Sequence, residues 1–185
     1  MDAHLKETRI DGGLVYDGHF LKVHKDGVQL PDGKRAGREY IQHPGAVVIL
    51  PVLDDGSVLL ERQYRYPLDR VFIELPAGKK DPGEDSLACA RRELEEETGY
   101  TASDWHFICT IHNAIAYSDE HLDIFLARGL KAGDVKLDDG EFIEVISMPL
   151  ERVLESVRTG EITDVKTMIG AFWLEKIVAG VWKLD

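Results

Sequence analysis

Seven acidic side chains lie between Gly78 and Tyr100, in GKKDPGEDSLACARRELEEETGY, and Glu95, Glu96 and Glu97 are consecutive. The whole chain already carries a formal net charge of -12, so this crowding needs a physical reason. On a helix, residues three and four apart are surface neighbours. Glu93 and Glu97 therefore stack on one flank, and Glu96 lies on the same side. Arg92 stands four before Glu96 and can pair with it, Glu95 points to solvent, and Leu87, Ala90 and Leu94 form the apolar face. Taken alone, such a run is a solvated helix face. The magnitudes argue otherwise. A like-charge pair at this spacing costs roughly 0.2–0.5 kcal/mol in water. At ~6 Å and an effective dielectric near 20, the same pair costs about 3 kcal/mol. With the apolar face packed down and strands beside it, Glu93 and Glu97 are not fully solvated, and something positive must offset them. Hard divalent ions such as Mg²⁺ take oxygen ligands, keep several waters and bind through a few carboxylates plus substrate phosphates.

The segment entering the helix points the same way. Gly78 and Glu84 bracket a loop containing Pro82 and Gly83. A glycine-bearing loop that opens a helix brings backbone N–H and C=O groups close to a ligand. Loop and helix together read as a metal cradle suited to diphosphate chemistry.

The elements that must position this cradle follow from pattern. GLVYDGHFLKVHKDGVQL alternates apolar and polar residues about Asp17-Gly18 and Asp26-Gly27, two hairpin signals. GAVVILPVLDDGSVLLERQYR gives two β-rich runs about Asp54-Asp55-Gly56, and VFIEL a short strand. A helix is expected from about Asp85 to Thr98, closed by Gly99 as a left-handed cap. Strands are expected at 105–112, 122–127 and 142–148, and helices at 149–158 and 164–178. Strands, helix, strands, helices is an α+β order, a mixed sheet with helices packed on it. Trp173 and Trp182 read as core or interface residues.

Composition bounds the function. With 44% hydrophobic and 30% charged residues, the 185-residue chain suits one globular domain with a small extension. The acidic balance argues against a broad nucleic-acid or acidic-membrane surface. It leaves a small anionic substrate open, because a bound dication reverses the local sign. Cys89 and Cys109 show no ligand spacing and read as reduced, buried thiols. MDAHLKETRI has no apolar core of a signal peptide, and no apolar run is long enough to span a bilayer, so a cytoplasmic protein is expected.

The stretch resembles the Nudix box, the loop-helix motif of the Nudix hydrolases: Gly, five residues, Glu, seven residues, then Arg-Glu-bulky-x-Glu-Glu-x-Gly-bulky. Gly78, Glu84, Arg92-Glu93-Leu94, Glu96-Glu97, Gly99 and Tyr100 fill every fixed position, Tyr100 being aromatic where an aliphatic residue is commoner. The resemblance implies an α/β/α sandwich around a mixed sheet and Mg²⁺-dependent attack of water on a nucleoside diphosphate linked to a further group, with Mn²⁺ as a substitute ion. It assigns metal binding to Glu93, Glu97 and the Ala77 carbonyl, with Glu96 close by. Glu84 and Arg92 would orient helix and loop.

The roughly 44 residues before the box domain, rich in strands, and the segments ERQYRYPL and ELPAGK resemble the ADP-ribose and nucleoside diphosphate sugar pyrophosphatases. This implies an N-terminal strand extension over 1–44 that builds a homodimer and reaches the partner's site, and a hydrolase domain over 45–185. Arg65 and Arg38 would bind the diphosphate or its flanking groups, with Arg62 and Arg70 as weaker candidates; the bland alternative for each is a surface ion pair. Many ADP-ribose pyrophosphatases carry a proline about sixteen residues after the box. Ala116 stands there, although Ser118-Asp119-Glu120 is kept, and this leaves room for other sugar nucleotides. The acidic turn KLDDGEFIEV, with Asp138, Asp139, Glu141 and Glu144, matches a loop that closes over the site; Glu141 fits best as ligand or base, then Asp139. A triphosphate or dinucleoside-polyphosphate hydrolase and a non-catalytic nucleotide-sugar sensor are the rival classes. The intact box and the absence of a helix-turn-helix segment weigh against the sensor.

Overall fold

A computed structural model describes residues 2–137 and 140–184. Asp138 and Asp139, part of the expected acidic turn, lie outside the described residues. The chain divides into two compact units, one reaching to Gly45 and including His112–His121, the other made of Ala46–Ile111 and the residues from Leu122 onward.

In the first unit, β1 (Thr8–Asp17), β2 (Lys22–Gln29) and β3 (Arg35–Gln42) form an antiparallel sheet in that order. The turn after Asp17 is where the sequence places it, with Gly18 N donating to Leu21 O at 2.9 Å. The second turn is not. Asp26 and Gly27 stand inside β2, opposite Arg38 and Gly37. Asp26 is buried there and takes Arg9 Nε at 3.0 Å and Tyr40 Oη at 3.2 Å. The reversal falls at Pro31-Asp32-Gly33 instead, where Gly33 has φ +84° and Lys34 N donates to Asp32 Oδ1. An Asp-Gly pair is a turn signal only while its carboxylate has no better partner. The His112–His121 segment docks on the end of β3: Ile41 N donates to Tyr117 O at 2.8 Å and His43 N to Asp119 Oδ1 at 2.7 Å.

The second unit contains β4 (Ala46–Pro51), β5 (Val58–Arg65), β6 (Arg70–Glu74), β7 (Ala77–Lys79), α1 (Ser86–Thr98), β8 (Tyr100–Ile111), β9 (Leu122–Ala132), β10 (Ile143–Met148), α2 (Leu150–Thr159) and α3 (Val165–Val178). A mixed sheet runs β7-β4-β9-β8, with β4 and β9 parallel, and an antiparallel sheet runs β10-β5-β6. The turn at Asp54-Asp55-Gly56 forms, with Gly56 at φ +85°. It does not make the expected two-stranded hairpin, because only Val52 and Val58 bridge before β4 and β5 diverge into different sheets. Pro51 at the end of β4 has no N–H to extend a ladder.

β4 is buried along its length because both its faces are covered. Val47 and Ile49, with Phe125 and Ala127 of β9, pack against Cys89, Ala90 and Leu94 of α1. Val48 and Leu50, with Ile124 and Leu126, face the opposite way toward Val153 of α2 and Ala171 and Leu174 of α3. Side chains two apart on a strand share a face, so one sheet separates α1 from α2 and α3. This is the α/β/α, α+β arrangement the sequence implies. Cys89 and Cys109 are free thiols, and Trp173 and Trp182 contact each other with ring centroids 4.2 Å apart. Among the described residues, no helix is long and apolar enough to cross a membrane.

The helix α1 is fixed at both ends. Asp85 accepts from Leu87 N and Ala88 N, and Gly99 closes it at φ +74° with its N–H on Glu95 O at 2.9 Å. A Cβ at Gly99 would also lie 2.9 Å from Gly133 O. Left-handed geometry costs an L-residue roughly 1–2 kcal/mol. Gly99→Ala is therefore expected to lower the unfolding free energy by at least about 1 kcal/mol in a denaturant titration; an unchanged midpoint would show that this cap carries no strain.

Candidate active site

Ala77 and Gly78 on β7, Glu93, Glu96 and Glu97 on α1, and Glu141 before β10 line one cavity of about 380 Å³, together with Lys79, Asp81 and Arg92. The sequence-predicted set Ala77, Arg92, Glu93, Glu96, Glu97 and Glu141 is thus gathered in one place. Close approach of β7 to α1 makes it possible. A Cβ built on Gly78 would fall within the Glu93 carboxylate, so only glycine fits. One residue earlier, Ala77 N donates to Glu97 Oε2 at 3.1 Å.

Arg92 ties loop to helix. Its Nε and Nη2 each lie 3.0 Å from the two oxygens of Glu84, and its Nη1 reaches Glu96 Oε2 at 2.9 Å and Glu93 Oε1 at 2.8 Å. A paired fork of this kind fixes geometry as well as charge. Glu84 Oε2 also accepts from Asp81 N at 2.9 Å, closing the loop on itself. The Arg92 hydrogen bonds hold the Glu84 carboxyl down at about 2, and Arg92 itself is shifted upward, chiefly by Glu84. Glu95 points away and pairs with Lys136 at 2.8 Å.

The inner carboxylates behave in the opposite sense. Burial pushes Glu93 up to about 7, with Arg92 pulling against it and the charges of Glu96 and Glu141 adding to the rise. Glu97 is raised by burial first, then by Glu61 and Glu93. In both, burial is the first cause and neighbouring carboxylates add to it. Among the described residues, no three His, Cys, Asp or Glu side chains are already gathered into a metal-binding arrangement, and the Glu93 carboxylate is turned onto Arg92. The donor set nevertheless fits a hard dication: it is all oxygen, half-buried or better at Glu93 and Glu97, and contains no sulfur or imidazole.

The two predicted substrate arginines are not brought into this cavity. Arg65 makes a paired contact with Glu74, at 2.7 and 2.8 Å, and lines a separate cavity of about 410 Å³ with Phe72, Asp164 and Lys166. Arg38 belongs to the first unit and bonds Glu7, with Nε to Oε2 at 2.9 Å. Arg62 pairs with Glu144 at 2.6 Å, and Arg70 bonds Thr163 and lies over the Phe72 ring. The sequence reading missed Glu61. It sits on β5, is 3% exposed, and its carboxyl reaches Glu97. The available signal was an acidic residue directly after Val58-Leu59-Leu60 in a core strand.

A family model described as NUDIX domain matches residues 42–167. An ADP-ribose pyrophosphatase of Bacillus subtilis is 39% identical over 173 residues, covering 92% of this chain and 94% of the relative. A methanol dehydrogenase activator of Bacillus methanolicus is 34% identical, covering 95% and 96%. The crystal structure of an ADP compounds hydrolase superposes with a TM-score of 0.85 at 24% identity, over 95% of each chain.

The clamp on Glu84 gives a pH signature. Its folded-state value lies below the ordinary 4.5, so its stabilisation is complete above 4.5 and fades as pH falls toward 2. Glu84→Gln is expected to be less stable than the parent at pH 6, with the gap closing between pH 4.5 and 2 in denaturant titrations. A gap of constant size across that window would rule out the charged clamp.

Proposed function

The chain belongs to the Nudix family and is a Nudix hydrolase; from that premise we propose that it is a divalent-cation-dependent pyrophosphatase acting on ADP-ribose or a nucleoside diphosphate sugar. The products are a nucleoside monophosphate and a sugar phosphate. One observation carries the reading: a complete loop-helix motif delivers Glu93, Glu96 and Glu97 to a single cavity that Ala77 and Glu141 also line. The names of relatives support the substrate class, including an ADP-sugar pyrophosphatase of Mus musculus at 33% identity.

In this reading Glu93, Glu97 and the Ala77 carbonyl would hold Mg²⁺, with Mn²⁺ as a substitute, and Glu141 would serve either as a further ligand or as the base. When bound, the cation neutralises the diphosphate and acidifies a coordinated water. The chain's own residues do the rest. Ala77 N–H anchors Glu97, and Gly78 lets the loop backbone come close to Glu93. Arg92 and Glu84 keep loop and helix in register. Glu141, or Glu96, takes a proton from the attacking water. Arg65 and Arg38 stay as proposed substrate contacts, and each would have to turn donors away from the carboxylate it now holds, Glu74 and Glu7 respectively. Positioning and charge supply most of the rate gain, as phosphoryl chemistry requires little else of a protein.

The first unit is read as the dimerising, substrate-reaching extension. Ile10, Leu14, Val15 and Tyr16 of β1 are exposed on a three-stranded sheet, and a second copy of the chain is the proposed cover. The proposed compartment is the cytoplasm.

A substrate panel tests the reading: ADP-ribose, ADP-glucose, GDP-mannose, dinucleoside polyphosphates and triphosphates, each with and without Mg²⁺. AMP from ADP-ribose, formed only with the cation, is expected; preferential hydrolysis of triphosphates would displace this assignment, and binding without turnover would make the protein a sensor. Glu97→Gln is expected to cut turnover by at least about a hundredfold while keeping its circular dichroism. Retained turnover with the same Mg²⁺ dependence would remove Glu97 from the mechanism.

A further inference from the structure

Glu61 lies outside the box, on a strand of the other sheet, in register with Glu74 on β6 and Val145 on β10. It is 3% exposed, and its Oε1 is fully buried without a hydrogen-bond partner among the described residues. Its carboxyl and that of Glu97 act on one another, and it shares the field of Lys166, Glu74 and Arg65. Those two cations are already committed. Lys166 Nζ bonds Glu74 and, at 3.0 Å, Asp164; Arg65 makes its paired contact with Glu74. When all are ionised, the group around Glu61 holds four carboxylates (Glu61, Glu74, Glu97, Asp164) and two cations (Arg65, Lys166), two negative charges in excess, and Glu93 and Glu141 add to the field on Glu97 from the cavity side. An unpaired buried charge is among the costliest features a fold can keep. For a core strand, a leucine or valine at this position would be the simpler solution.

Resting on the cation-dependent reading above, we propose that Glu61 is a positioning residue for the dication: its buried carboxylate backs Glu97 and supplies the second of the two charges that the ion balances. Glu97 then faces the cavity with Ala77 N–H on one side and Glu61 behind it. Glu61 does not line the cavity itself, so it acts through Glu97 rather than on substrate. Outer carboxylates of this kind change metal affinity by about 10–100-fold when removed.

The test is Mn²⁺ binding to metal-free protein, followed by the paramagnetic resonance of the free ion, with no substrate present. Glu61→Gln and Glu61→Leu are compared with the parent and with Glu97→Gln, and each is melted without metal. Both Glu61 variants are expected to bind Mn²⁺ about tenfold or more weakly while melting, metal-free, no lower than the parent. A purely structural residue would give the reverse, a lower melting temperature with unchanged affinity, and that result overturns the proposal. So does failure of both variants to fold, which would assign Glu61 to the core. Parent binding that Glu97→Gln abolishes and the Glu61 variants keep would sink this inference alone. A parent that binds no Mn²⁺ would sink the cation reading with it.

Discussion

Carboxylates packed together out of water must either take up protons or have something positive placed among them, and the second unit is organised around that constraint. Glu97, Glu61 and Glu74 are each at most 6% exposed, and Glu93 stands beside Glu97 on the same helical flank. The chain treats the acidic groups in two different ways. On the outer side, Arg92 gathers Glu84 and Glu96 with one guanidinium and touches the inner Glu93 as well. On the inner side, Lys166 and Arg65 hold Glu74, and among the described residues no Lys or Arg forms an ion pair with Glu61 or Glu97, although both cations act on Glu61 from a distance. The outer cluster is a fastening. The inner one has the imbalance expected of a site built to receive charge.

Everything that positions these groups is ordinary packing. Alternation along β4 and β9 sends Val47, Ile49, Phe125 and Ala127 to α1 and sends Val48, Leu50, Ile124 and Leu126 to α2 and α3. The helix α1 is pinned along its apolar face, started by Asp85 and stopped by Gly99. Its acidic flank has one place left to go, over β7, where Gly78 removes the side chain that would collide. The core thus fixes where the acidic flank lies, and the charges on it are left to be balanced locally.

The parts legible in the sequence are those set by local rules. The bounds of α1 follow from a cap residue, a 3.6-residue period and a glycine stop, and the flank shared by Glu93 and Glu97 follows from that period alone. Long-range pairing was less legible. Asp26-Gly27 reads as a turn, yet Arg9 and Tyr40 claim the Asp26 carboxylate and the chain runs straight on. The runs about Asp54-Asp55-Gly56 read as one hairpin, yet their strands join different sheets, because the choice is made by partners about 70 residues or more downstream, β9 for one and β10 for the other. Glu61 offered only a weak signal for the same reason: an acidic residue after Val58-Leu59-Leu60 gains its meaning once the opposing helix is in place. Arg65 shows the converse, since its residue type suits a phosphate while the fold gives it Glu74.

The most direct measurement is anomalous diffraction at the manganese edge from crystals soaked in MnCl₂. Density bonded to Glu93, Glu97 and the Ala77 carbonyl, in the cavity between α1 and β7, is the expected result. Peaks found only elsewhere, with those carboxylates free of metal at saturating Mn²⁺, would contradict the role of the acidic helix as a seat for dications.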